Sequence, residues 1–136
     1  MKKFLATLLF AGAIAMTACA PDIKTAAASE SKLKSNGYTV EVYSDTEAKA
    51  SITGLDYEGF TLVNALFADK GTRDNKDFLL AFYFNTVDEA SNFVTKNIAQ
   101  FNRYLEKNLG SNLTAKQGSH NNVAYAGSET SFNSAF

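Results

Sequence analysis

The chain has one cysteine, one proline, one histidine and no tryptophan in 136 residues. A single cysteine, Cys19, allows no intramolecular disulfide, so stability has to come from a packed core. A single histidine, His120, leaves a zinc site short of its usual donors, since such a site needs three or four nitrogen, sulfur or oxygen ligands. A Ser-His-Asp arrangement would have to be built around that one ring, and no G-x-S-x-G is present. The longest apolar run, Phe4 to Ala15, falls short of the roughly 20 residues needed to span a bilayer. Internal repeats and low-complexity segments are missing too. Neither sign of charge dominates, with 13 basic and 14 acidic residues, which disfavours nucleic acid as a partner.

What is present centres on residues 77–108, DFLLAFYFNTVDEASNFVTKNIAQFNRYLEKN. Phe78 to Phe84 is apolar on both parities, with Phe78, Leu80, Phe82 and Phe84 on one face and Leu79, Ala81 and Tyr83 on the other, as in an interior strand. Thr86 to Glu89 then fits the S/T-x-x-E capping box and predicts a helix start. Val87, Ala90, Val94, Ile98, Phe101 and Leu105 follow at helical spacing, with Phe93 and Tyr104 widening the stripe and Asn108 and Gly110 offering a stop. At about 1.5 Å per residue this helix is roughly 33 Å long, enough to cross four strands. The expected fold is α+β, a small antiparallel sheet of about four to five strands with one long helix packed across one face and short helices around it.

The other segments supply the remaining elements. Residues 26–36 predict a short helix with Leu33 inward and Gly37 at its left-handed end. Tyr38 to Tyr43 alternates, with Tyr38, Val40 and Val42 inward and Tyr43 outward. Ser44-Asp-Thr-Glu47 is a second capping box, opening a short helix with Ala48 and Ile52 inward. Phe60 to Ala68 reads as a strand forming a hairpin with Phe78 to Phe84. A weak strand over 112–116, a turn over 118–122, a short strand from Val123 to Ala126 and a docked terminal helical turn complete the chain.

The first twenty residues read as an export signal, with Lys2 and Lys3 ahead of the apolar run. Met16-Thr-Ala-Cys19 resembles the lipobox of bacterial lipoproteins, in which a peptidase cuts before a cysteine that carries diacylglycerol. Met16 stands where that family has Leu. Ordinary secretion with a cut after Ala20 is the competing reading, but it would place Pro21 at the new N-terminus. The resemblance implies a chain exported and lipid-anchored at Cys19 to the bacterial cell membrane, facing outside the cytoplasm. Residues 1–18 are then a cleaved signal peptide, 19–28 the lipidated N-terminus and tether, and 29–136 one globular domain. The 13 basic residues less Lys2 and Lys3 leave 11 against 14 acidic ones, a net charge of −3. The closing NNVAYAGSETSFNSAF loosely resembles the ends of small uncharacterised lipoproteins of Gram-positive bacteria, which implies no activity.

Four groups of residues invite a chemical reading. His120 is read as a surface turn residue. Asp69, Asp74, Asn75 and Asp77 crowd one loop as calcium ligands do, but the spacing is not that of an EF-hand and Lys70, Arg73 and Lys76 are interleaved. Lys96, Gln100, Arg103 and Lys107 form a basic stripe on the long helix, either a solvated face or a contact for anionic lipid or cell-wall polymer. Tyr43 and Tyr83 are placed together on the sheet face away from the long helix, as the surface for an envelope protein partner, in preference to the basic stripe. No catalytic residue, metal ligand or cofactor is assigned. The expected role is a non-enzymatic binding module or accessory subunit at the cell envelope, with a small envelope hydrolase or transferase as the alternative.

Overall fold

The computed structural model describes residues 22–136; the stretch read as a signal peptide and Cys19 lie outside the described residues. Helix α1 (Ala26–Ser35) leads to β1 (Thr39–Ser44), α2 (Asp45–Ser51), β2 (Leu62–Lys70) and, after one 3-10 turn, β3 (Asp77–Phe84). The long α3 (Val87–Asn108), the hairpin β4 (Ala115–His120) and β5 (Val123–Ser128), and α4 (Glu129–Ala135) follow. The five strands form one antiparallel sheet in the order β1-β2-β3-β5-β4. The fold is α+β.

Apolarity on both parities puts β3 in the middle, and every one of its residues is buried. Its Phe78, Leu80, Phe82 and Phe84 face a core shared with Phe93, Phe101 and Leu105 of α3. Its Leu79, Ala81 and Tyr83 face a second core with Leu33 of α1 and Ala135 of α4. Two pieces cover each face. α3 lies over β3, β5 and β4, while α2 and the 53–61 loop close the same side over β1 and β2. α1 packs on β1 and β2, and α4 on β3, β5 and β4, on the other side. The short helix opened by Ser44 thus shares a side of the sheet with the long helix.

The helix ends follow local chemistry. Ser44 and Glu47 form the complete reciprocal cap of α2. The second box is only half made: the Thr86 hydroxyl accepts from the Glu89 N–H at 3.1 Å, but the Glu89 carboxylate instead accepts from the Thr61 N–H at 2.8 Å. Glu89 thereby ties the incoming end of β2 to the start of α3. The far end of α3 closes on extended Leu109 rather than a left-handed glycine. Gly110 is needed for another reason: its N–H donates to the Lys76 carbonyl at 2.8 Å, and a Cβ there would collide with the Asp74 carbonyl.

Two buried asparagines hold chain that has no ladder partner. Asn97 accepts from the Asp56 N–H at 2.7 Å and donates to the Asp56 carbonyl at 3.1 Å, clipping the 53–61 loop along α3. At that residue the helix is kinked (φ −113°, ψ 15°). The buried line is Ala90, Phe93, Asn97, Phe101 and Leu105, and Ile98, expected inside, is 41% exposed. Asn122 holds Lys24 in the same peptide-like way, at 2.6 and 2.9 Å, and also donates to the Phe84 carbonyl. The fold thus takes up the chain at Lys24, within the stretch read as tether to residue 28.

Candidate functional site

The basic stripe of α3 becomes one wall of a depression. Gln100, Arg103, Tyr104, Lys107 and Asn108 occupy successive positions on a single helix face, spaced three and four residues apart. The loop after α2 supplies the other wall through Thr53. Together they outline an open depression of about 370 Å³. The Tyr104 ring packs on the core and is half-buried, which gives the depression a firm apolar floor. Asn108 is oriented by donating to the Tyr104 carbonyl at 3.0 Å, and Arg103 reaches Gln100 at 3.3 Å.

Among the described residues, neither Arg103 nor Lys107 has a carboxylate within 4 Å. Lys96 belongs elsewhere. It pairs with Asp56 at 3.2 Å, donates to the Glu58 carbonyl and sits over the Phe60 ring. Hydrogen bonding from the Glu58 N–H, and then Lys96, holds the Asp56 carboxyl below its ordinary range. Of the four stripe residues the structure gathers three and adds Thr53, Tyr104 and Asn108. Helical spacing was enough to find the three. Thr53 carries no such signal, because its position depends on the Asn97 clip.

The Tyr43 and Tyr83 surface is not formed. Tyr43 pairs across Ala65 toward Phe82 and so lies on the long-helix side, partly buried in that core. Tyr83 faces the opposite core and is 1% exposed; burial pushes its hydroxyl up to about 12. The two rings point to opposite faces of the sheet, and α1 and α4 have taken the area they were to offer.

The acidic loop does not converge either. Asp69 pairs with Lys76 at 3.5 Å, Asn75 accepts from the Asn112 amide at 2.9 Å, and Asp77 is buried at the start of β3 against the hydroxyls of Tyr38 and Ser128. Among the described residues no three His, Cys, Asp or Glu side chains come together. His120 closes β4 instead of sitting in a turn, because the reversal needs only Asn121, with φ +52°, and Asn122. Its ring packs on Phe132 and Phe136 at 5.3 and 5.2 Å, and burial, with Lys24 second, holds it below its ordinary range.

No protein-family model, curated protein or solved structure matches the chain.

Proposed function

We propose that the chain is an exported protein held at a bacterial membrane by diacylglycerol on Cys19, and that its domain is a non-enzymatic module binding an anionic ligand in the α3 depression. The observation that carries the binding role is the pair of cations, Arg103 and Lys107, without a carboxylate partner among the described residues, on one wall of an open depression. Arg103 offers a planar fork of donors suited to phosphate or carboxylate, Lys107 a point charge, and Gln100, Tyr104 and Asn108 neutral hydrogen-bonding groups. A volume near 370 Å³ suits one small anionic group and the carbons that bear it.

Titration of the full chain in nonionic detergent with inorganic phosphate and with citrate tests this. Saturable binding of at least one is expected. Replacing both cations, Arg103→Gln with Lys107→Gln, should weaken it at least tenfold, about 1.4 kcal/mol. The melting temperature should stay within about 2 °C, because both side chains are exposed. Lys34→Gln with Lys49→Gln removes the same charge elsewhere. Equal weakening by that pair would reduce the effect to net charge and end the site.

The anchor is supported by Lys2, Lys3, the apolar run and Met16-Thr-Ala-Cys19. A Cys19→Ala chain is expected to leave the membrane fraction, or to remain unprocessed, and in either case to lack the mass of the lipid. A variant that is cut at the same place and pellets as firmly as the parent would refute the lipoprotein reading.

A further inference from the structure

Among the described residues four large apolar side chains are exposed, and two of them, Ile23 at 50% and Val63 at 44%, line the same hollow. Val63 is there because of a β-bulge. Leu62 pairs with Phe84 and Asn64 with Tyr83, so Val63 has no partner in β3 and is turned out of the ladder. Ile23 is there because Asn122 fixes the peptide of the next residue, Lys24, to the end of the sheet. Ala27, Tyr83 and Phe84 are among the other residues lining this mainly apolar hollow of about 280 Å³, with Asn64, Asn85 and Asn122 at its polar side. Beside it Lys32, with no carboxylate within 4 Å among the described residues, lines a second hollow with Phe136 and with Lys24, which is paired with Asp22 at 2.7 Å.

We propose that this end of the domain is a membrane-contacting surface, in which Ile23 and Val63 enter the boundary between headgroups and acyl chains while Lys32 meets lipid phosphate. This rests on the anchor at Cys19 proposed above. Its physical basis is reach. Cys19 and Lys24 are five residues apart, a span of at most about 18 Å, so the anchor keeps the Ile23 end next to lipid at high effective concentration. Side chains that stay exposed to water elsewhere would there lose apolar surface to the bilayer. Lys32 at the rim adds attraction to anionic lipid, while the charge of Lys24 is offset by Asp22. The arrangement also orients the ligand depression. α3 starts just after Phe84, at this same end, and Arg103 and Lys107 lie about 24 and 30 Å along it. The depression therefore lies toward the far end of α3 from the anchored surface.

The test uses the mature lipidated chain in vesicles of phosphatidylcholine and phosphatidylglycerol. An environment-sensitive fluorophore is placed through Ile23→Cys, Val63→Cys or, as control, Ile98→Cys on α3. The first two labels should shift to the blue and be quenched by spin-labelled lipid, and the third should do neither. Hydrogen exchange of the unlabelled chain gives a second reading, with amides of 23–27 and 62–64 slowed on vesicles relative to nonionic detergent. Labels at 23 and 63 that stay in water, with unchanged exchange, on a chain whose mass includes the lipid would overturn the docking and leave the anchor intact. A mature chain without lipid would overturn both.

Discussion

Replacing Phe93 by alanine is expected to lower stability by about 3–5 kcal/mol, the usual cost of emptying a buried phenylalanine site. For a domain of this size that shifts the melting temperature down by more than about 10 °C. The reason is the number of elements that meet on this ring. Phe93 is fully buried and lies 5.1 Å from the rings of Phe60, Phe82 and Phe84, 5.7 Å from Tyr57 and 6.2 Å from Phe101. It therefore joins α3, the central strand and the 53–61 loop, and the cavity cannot collapse without moving all three. Ile98, five residues on, should lose less than about 0.5 kcal/mol when cut to alanine, because it is 41% exposed. The pair is decisive for the rotation of α3 about its axis. An Ile98→Ala chain as unstable as Phe93→Ala would mean the helix presents the face that periodicity alone suggests.

That rotation marks where the sequence stops being legible. Element type is carried locally: β3 by its two apolar parities, α2 by Ser44 and Glu47, the end of α1 by Gly37 at φ +88°. Which residue of α3 lies innermost is not local. A count of apolar side chains puts Ile98 inside, whereas the structure buries Asn97, because its amide finds the backbone of Asp56, 41 positions away, and repays the burial of a polar group. Tyr43 and Tyr83 were separated by the same kind of term. Alternation says which residues of one strand share a face, but the register between β1 and β3 passes through β2, and a 53–61 loop joined to α2 leaves that register free.

The depression was half legible for a related reason. Gln100, Arg103 and Lys107 follow from helical spacing, which depends on one element only. The wall that turns their face into a hollow comes from the α2 loop, and that loop is placed by Tyr57, which donates to the Ile52 carbonyl at 2.7 Å, and by the Asn97 clip. No pattern in residues 53–61 announces it. A charged helix face and a site differ here by the position of one tertiary loop.

Asp77→Ala is the other substitution expected to have a large effect, about 3 kcal/mol or more, and its origin is polar rather than apolar. Asp77 is nearly buried at the start of β3, and each carboxyl oxygen takes one hydroxyl: Oδ2 from Tyr38 at 2.6 Å, and Oδ1 from Ser128. Tyr38 follows α1, while Ser128 ends β5 and caps α4 by accepting from the Ser131 N–H at 2.8 Å. One acid therefore ties both helices of the second layer to the central strand. Burial and then the Asp77 hydrogen bond push the Tyr38 hydroxyl far above its ordinary range, so it stays a donor throughout the accessible pH range. Alanine leaves two buried hydroxyls without their acceptor, at about 1–3 kcal/mol each. Asn should cost less, since it keeps one carbonyl oxygen and a hydroxyl can turn to accept from the amide. Asp74→Ala, three residues earlier and exposed, should change stability by no more than about 0.5 kcal/mol. Urea unfolding of the three variants checks the order, Asp77→Ala below Asp77→Asn below Asp74→Ala. Equal midpoints for Asp77→Ala and Asp74→Ala would show that the acid holds nothing together and that the second layer is kept in place by Leu33, Tyr83 and Ala135 alone.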